Sequence, residues 1–297
     1  MSDPKNHHWL PRFLLREWAN GNAGKVMCFY RPHARVVASP QGTRKIGATE
    51  WLYTAGWSGY DDPNFVETSF MAKAIDTPAA RLHRRMLAGE VDAFGFEERQ
   101  LWTWFMLLLK VRYPGMIRAK QEAQEESWKK LRVESLIGQT PTGYALPLDH
   151  AGAEAFYDQN FAGSGHDLVL QAMANYPRES PFYPDIMRLE WRVLRLNEAA
   201  IHFLLADNPI TMWGDGAVRR LWMPLAPDAL FVAGDYNYLS KAVELRERYR
   251  EVLALDVMRH QCRQAREFVI GKDEGEKKNR TLASIAEQYL PARPPSL

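Results

Sequence analysis

Apolar residues near the middle of the chain recur on both sides of a helical wheel, with Leu101, Trp104, Phe105 and Leu108 on one side and Trp102, Met106, Leu109 and Tyr113 on the other. The spacing predicts a helix from about Glu97 to Tyr113 that is apolar nearly all round, and such a helix belongs inside a fold. The stretch from Arg118 to Glu134 reverses the pattern. Glu125 with Lys129 and Glu126 with Lys130 sit four apart, as on a solvated helix. Toward the N-terminus, Leu10, Phe13, Leu14 and Trp18 mark a short amphipathic helix opened by Pro11. A further helix is predicted from Asp62-Pro63, with Met71, Ile75, Leu82 and Met86 on one face and Pro78 kinking it midway.

Strand patterns are fewer. Lys25 to Tyr30 is short, alternating and aromatic; Val218 to Leu225 and Ala229 to Gly234 read the same way. Ile201 to Ala206 is apolar on both faces and is stopped by Asp207-Asn208-Pro209, the pattern of a buried strand that ends in a turn. Ile186, Leu189 and Val193 predict a helix over Asp185 to Leu196, and a stripe from Leu245 to Val269 predicts one long helix over Leu239 to Ile270. The class that follows is α+β, mainly α: a helical body around a buried central helix, with one small, mostly antiparallel sheet. No linker divides residues 1–297, so one globular domain is expected, with 271–297 as a peripheral C-terminal loop and tail.

Composition narrows the function. Thirty-eight Lys and Arg against thirty-six Asp and Glu leave a net charge of +2, which argues against a protein built to coat nucleic acid or anionic lipid. With 46% apolar and 25% charged residues, disorder is excluded. Two cysteines, Cys28 and Cys262, are too few for a disulfide scaffold and fit a reducing compartment. The longest apolar run, Leu101 to Leu109, is about half of what a bilayer needs, and no leader of charged then apolar residues opens the chain. A cytoplasmic protein with no membrane partner is expected.

Strong catalytic signatures are lacking. The sequence has no phosphate-cradling P-loop, no dinucleotide glycine fingerprint, no His-Glu-x-x-His helix, no Cys-x-x-Cys pair and no nucleophile elbow. What remains is a set of polar residues in apolar surroundings. His7 and His8 precede an apolar helix, where neutral imidazoles bind metals or move protons; the plainer account is local hydrogen bonding. Glu67 lies four residues before Met71 on the same stripe, so its carboxylate needs a cation, a metal or several donors there. Asp76, close to Pro78, reads more simply as a solvated or locally bonded carboxylate. Arg112, at the end of the central helix, offers five fixed donors either to a carboxylate of the fold or to an anionic substrate. Asp207 and Asn208, at the open end of a buried strand, are rigidly held and are equally explained by an Asx turn. Glu190 and His202 are read as structural, and His33, His83, His150, His166 and His260 show no ligand spacing.

Five short motifs carry a resemblance: His8-Trp9-Leu10-Pro11-Arg12-Phe13-Leu14-Leu15-Arg16-Glu17-Trp18, Glu67, Arg112-Tyr113-Pro114, Ala206-Asp207-Asn208-Pro209 and Met223-Pro224-Leu225. In this order, from residue 7 to about 270, the chain resembles an uncharacterised bacterial family known by a domain-of-unknown-function label. Within that resemblance Trp18 replaces a phenylalanine, Ala206 a serine or threonine, and Asp76 stands where a second glutamate is usual. The resemblance implies a shared fold and site and supplies no reaction.

Two functions fit these residues. One is a hydrolase, with or without a divalent metal, acting on an anionic, phosphodiester-type substrate, either a small molecule or a nucleic acid. Its catalytic set is His8, Glu67, Arg112, Asp207 and Asn208, and its candidate metal ligands are His7, His8, Glu67 and Asp207. The other is a non-enzymatic binding or regulatory protein in which the same residues form a buried ionic network. The first requires the set to converge on one cleft.

Overall fold

The stretch that is apolar all round forms α3 (Phe96–Val111), whose Trp102, Phe105, Met106, Leu107 and Leu108 have no solvent exposure. In this computed structural model, which describes residues 5–20, 24–57, 61–196 and 201–291, α3 is the centre of the largest apolar cluster. Its first turn is closed by Glu98, whose carboxylate accepts the Gly95 amide at 2.9 Å. After Arg112 the chain turns at Tyr113 and restarts with Pro114 in the first turn of α4 (Pro114–Leu136), where a missing N–H costs nothing. α4 packs on α5 (His150–Asn160) and on α6 (Ser164–Glu179), which also covers α3.

The fold is α+β and mainly α, with a central buried helix as expected. Its strands, however, make three small antiparallel sheets among the described residues, not one. In the first, β1 (Asn6–His8) pairs with β4 (Ala48–Glu50), His7 opposite Thr49 and His8 opposite Ala48. The second has the order β3 (Val37–Gly42), β2 (Lys25–Tyr30), β10 (Phe268–Gly271), β6 (Leu205–Ala206). The third runs β5 (Glu190–Arg195), β9 (Ala229–Gly234), β8 (Arg220–Ala226), β7 (Thr211–Trp213). Every residue of β9 is buried, so its run of apolar residues shows no alternation.

Three predicted elements are corrected by partners that periodicity cannot show. The helix expected over Asp185 to Leu196 ends early: α7 (Phe182–Arg188) gives way to β5, because Trp191 and Leu194 are buried while the strand pairs along its whole length with β9. The strand expected over Ile201 to Ala206 keeps only its last two residues in a ladder. The helix expected over Leu239 to Ile270 is α8 (Tyr236–Arg248) and α9 (Arg250–Gln264), broken at Tyr249, where φ is −140° and ψ 48°. It does not continue into Val269, because the Asp207 carboxylate takes the amides of Arg266, Glu267 and Phe268, and the residues beyond become β10. The expected C-terminal loop and tail contains α10 (Glu276–Tyr289), with Leu282 and Ala286 buried in a second apolar cluster; residues 292–297 lie outside the described residues. No helix among the described residues is long and apolar enough to cross a membrane.

The loop between β4 and the next helix is pinned to α6. Asp167 accepts the amides of Gly56 and Trp57 at 2.7 and 3.1 Å, and Gly163, at φ +83°, meets the Gly56 backbone directly. A Cβ at Gly163 would lie 2.5 Å from the Gly56 carbonyl, with no flexible side chain to yield. We expect Gly163→Ala to cost about 1–3 kcal/mol, the range for strained backbone positions, in urea unfolding, and to cost more than Gly138→Ala, which has the same sign of φ and open space around it. Equal losses at the two positions would show that the close approach contributes nothing.

Candidate functional site

Residues Val66–Asp76 wind as a π-helix that passes without a break into α2 (Thr77–Leu87), and the Thr77 amide bonds to the Ala72 carbonyl five residues back. Pro78 therefore starts an α-helix rather than kinking one. The wider winding decides the site. At about 4.4 residues per turn, the nine residues from Glu67 to Asp76 make about two turns, so both carboxyls share a face. On an α-helix the same spacing is about two and a half turns and would set them on opposite faces.

Asp76 reaches the end of α3. Arg112, with no solvent exposure, directs both terminal nitrogens at it, Nη1 to Oδ1 and Oδ2 at 3.0 and 3.3 Å and Nη2 to Oδ1 at 3.1 Å. The guanidinium also lies 5.5 Å from the Phe105 ring centroid and 3.9 Å from the Met71 sulfur. Arg112 is thus the structural partner of a carboxylate, and that carboxylate is Asp76, expected from the sequence to be solvated or locally bonded. Burial raises the Asp76 carboxyl above its ordinary value, and the pairing with Arg112 opposes this.

Glu67 lies beside this pair without a cation of its own. It is 7% exposed, its Oε2 is buried with no hydrogen-bond partner, and burial first and Asp76 second push its carboxyl up to about 7, against the pull of Arg112. Above them stands β1. Alternation along the strand turns His7 inward, where Nδ1 accepts the Tyr53 amide at 2.8 Å and the ring stacks on Tyr53 at 5.6 Å. Tyr53 is fully buried and donates to the Arg112 carbonyl at 3.5 Å. His8 turns the other way. Its Nε2 is buried with no partner, and burial, then Arg12, hold it down to about 4.

His8, Glu67 and Asp76 line one cleft of about 580 Å³ between α1 (Arg12–Glu17), the π-helix and α2. That is the size of a small-molecule site. Arg12, Arg16, Arg81 and Arg84 line it as well. So does His83, buried and neutral: Nε2 donates to the Leu225 carbonyl at 2.8 Å, and burial, more than this bond opposes, holds its pKa down to about 4. The four arginines and His83 lie outside the catalytic set expected from the sequence. The signal was present as spacing, since Arg12 with Arg16 and Arg81 with Arg84 fall four and three apart on helix faces.

Asp207 and Asn208 are not among the cleft's lining residues. Asp207 accepts three amides, from Arg266 at 2.8 Å, Glu267 at 2.5 Å and Phe268 at 3.3 Å, and burial still leaves its carboxyl raised to about 6. It orders residues 266–268, which contact the chain neighbours of His8 and Arg112. Glu267 accepts the Tyr113 hydroxyl at 2.8 Å, Arg266 covers the Tyr113 ring at 4.5 Å, and Trp9 packs on both Tyr113 and Phe268. Trp9 and Tyr113 are the chain neighbours of His8 and Arg112. Asn208 is half-buried with its Oδ1 unpartnered. The four metal ligands suggested by the sequence do not assemble: no group of three or more His, Cys, Asp or Glu side chains among the described residues is placed to hold a metal ion. The position of Asp207 gives the physical reason, since both its oxygens are occupied by backbone amides.

A family model described as a protein of unknown function, DUF4238, matches residues 6–275, from β1 to the residue before α10. The chain belongs to the DUF4238 family. No curated protein and no solved structure matches it significantly. Every residue of the cleft lies inside the DUF4238 span.

Two measurements follow. Replacing Asp76 with Asn leaves a buried guanidinium without its carboxylate and is expected to cost about 3–5 kcal/mol in urea unfolding; a loss below about 1 kcal/mol would mean that Arg112 finds another partner. Glu67 carries a pH dependence of definite sign. Its folded pKa of about 7 exceeds the ordinary 4.5, so its contribution is intact below pH 4.5 and is lost as pH rises toward 7, at no more than about 1.4 kcal/mol per pH unit. His8 and His83, shifted down, act oppositely between about 4 and 6.5. The difference in unfolding free energy between wild type and Glu67→Gln isolates the glutamate. It should fall between pH 4.5 and 7 and level off above; a flat difference would place Glu67 in contact with water or a cation.

Proposed function

We propose that the cleft binds an anionic substrate and hydrolyses it by general acid–base catalysis, with Glu67 as the proton carrier and a phosphodiester-type linkage as the bond broken. The observation that carries this reading is the combination in one cleft of a buried, unpartnered carboxyl poised near neutral pH with four arginine side chains. A base is most effective when its pKa lies near the working pH. Arg12, Arg16, Arg81 and Arg84 recruit the substrate and stabilise negative charge as it develops on the phosphoryl oxygens. Ionised Glu67 takes a proton from the attacking water, the new P–O bond forms as the ester P–O bond on the opposite side of phosphorus breaks, and the departing oxygen leaves as an anion that takes its proton from solvent, to which Glu67 returns its own. His8, neutral at physiological pH, presents an imidazole lone pair or N–H to the bound group.

Arg112 and Asp76 are positioning residues in this scheme. Asp76 keeps Arg112 from neutralising Glu67 outright and supplies the negative neighbour that raises it. Asp207 holds the loop on which Tyr113 and Trp9 rest. The ionic network of the non-enzymatic reading is favoured for these three residues by the Arg112–Asp76 pairing and by the backbone amides that Asp207 accepts, and it leaves the Glu67 face of the cleft unexplained. The buried thiols Cys28 and Cys262 support a cytoplasmic location.

Purified protein assayed on bis(p-nitrophenyl) phosphate and on short single-stranded oligonucleotides should release product. Glu67→Gln should lower kcat by about 10²–10⁴-fold with the fold retained, as expected for loss of a proton carrier. Arg84→Gln should act mainly on KM. Turnover that survives Glu67→Gln, or none on either substrate, would end this proposal.

A further inference from the structure

A second cavity, of about 350 Å³, shares no lining residue with the cleft. It lies among β7, β8, α8 and α9, and its walls are aromatic. Trp213 and Trp222 meet edge to face at 4.6 Å, and the His260 ring stands 5.3 and 5.4 Å from them at steep angles. Arg220 carries its guanidinium 5.2 Å over Trp213 and 5.5 Å over Tyr238. Lys241 and Arg259 add two more cations at the lining, against the single carboxylate Asp256.

Packing alone does not account for this composition. Trp222 is 7% exposed, yet its indole N–H meets no acceptor, and the buried Tyr238 hydroxyl has none either. Burial pushes the Tyr238 hydroxyl up to about 12, so it remains a donor at neutral pH. Buried donors normally find acceptors within the fold. Aromatic walls stack on any planar ring, guanidinium and ammonium groups favour a negative substituent, and unpartnered donors suit ring heteroatoms or oxyanions. The cavity's volume is at the lower end for ligand sites, which limits the occupant to a small molecule.

We propose that this cavity is a binding site for a small planar aromatic anion no larger than a nucleoside monophosphate. Trp213 and Trp222 hold the ring, and Arg220, Lys241 and Arg259 hold the charge. The site is independent of any reaction in the cleft.

Calorimetric titration of the full-length protein with adenosine 5′-monophosphate and indole-3-acetate tests it, with adenosine and indole as neutral counterparts and ribose 5-phosphate as the anion without a ring. At least one aromatic anion should bind at least tenfold more tightly than its neutral counterpart and than ribose 5-phosphate. Trp213→Ala should weaken that binding at least tenfold while Trp213→Phe retains most of it, and both should keep the wild-type far-UV circular dichroism. Arg259→Gln should narrow the gap between the anion and its neutral counterpart, and Arg84→Gln, in the cleft, should leave binding unchanged. The proposal is overturned if neither aromatic anion binds, if Trp213→Ala and Trp213→Phe bind as wild type does, or if Arg84→Gln abolishes binding and so assigns the ligand to the cleft.

Discussion

A guanidinium that is entirely cut off from water is the constraint around which this fold is arranged. With no water to solvate Arg112, its charge must be met by a carboxylate within the protein. Asp76 meets it bidentately, and an eleven-residue π-helix places Asp76 on the same face as Glu67. Such winding is rare and tends to mark functional segments. Here its consequence is electrostatic. Two carboxyls share a helix face, one is satisfied by Arg112, and the other, buried beside both, is driven toward neutral pH.

The remaining elements hold that arrangement in place. Tyr53 bridges His7 to the Arg112 carbonyl, so β1 is tied to the end of α3. Asp167 pins the loop just beyond Tyr53 to α6. Asp207 organises residues 266–268, against which Trp9 and Tyr113 pack. Residues from six distant parts of the chain thus hold His8 and Arg112 in place through their chain neighbours. Strand β8 carries both Trp222, in the aromatic cavity, and Leu225, whose carbonyl orients His83 at the cleft, so the two sites have a common scaffold.

Much of this was legible along the chain. The all-round apolar pattern from Leu101 to Leu109 located the central helix, because burial on every side removes the polar face that a surface helix keeps. His8, Glu67 and Arg112 were singled out because polar groups on apolar stripes must have partners. The pairing of Asp76 is not legible, because an α-helical period turns it away from Glu67 and the π-winding that reverses this leaves no mark in the sequence. At Asp207 an Asx turn and an open site look alike in sequence, and the three amides it caps lie about sixty residues downstream.

The class of fold, the buried central helix and the polar residues that could not be left without partners are all legible along the chain, since each is a local consequence of spacing and solvation. Packing between distant segments set which partner each one took. It split the strands into three sheets, ended α9 where Asp207 claims the following amides, and wound residues 66–76 so that Glu67 and Asp76 face Arg112 together. The physical reason is that pairing and desolvation are set by distances in space between segments as far apart as β1 and β10, and no period along the chain encodes them.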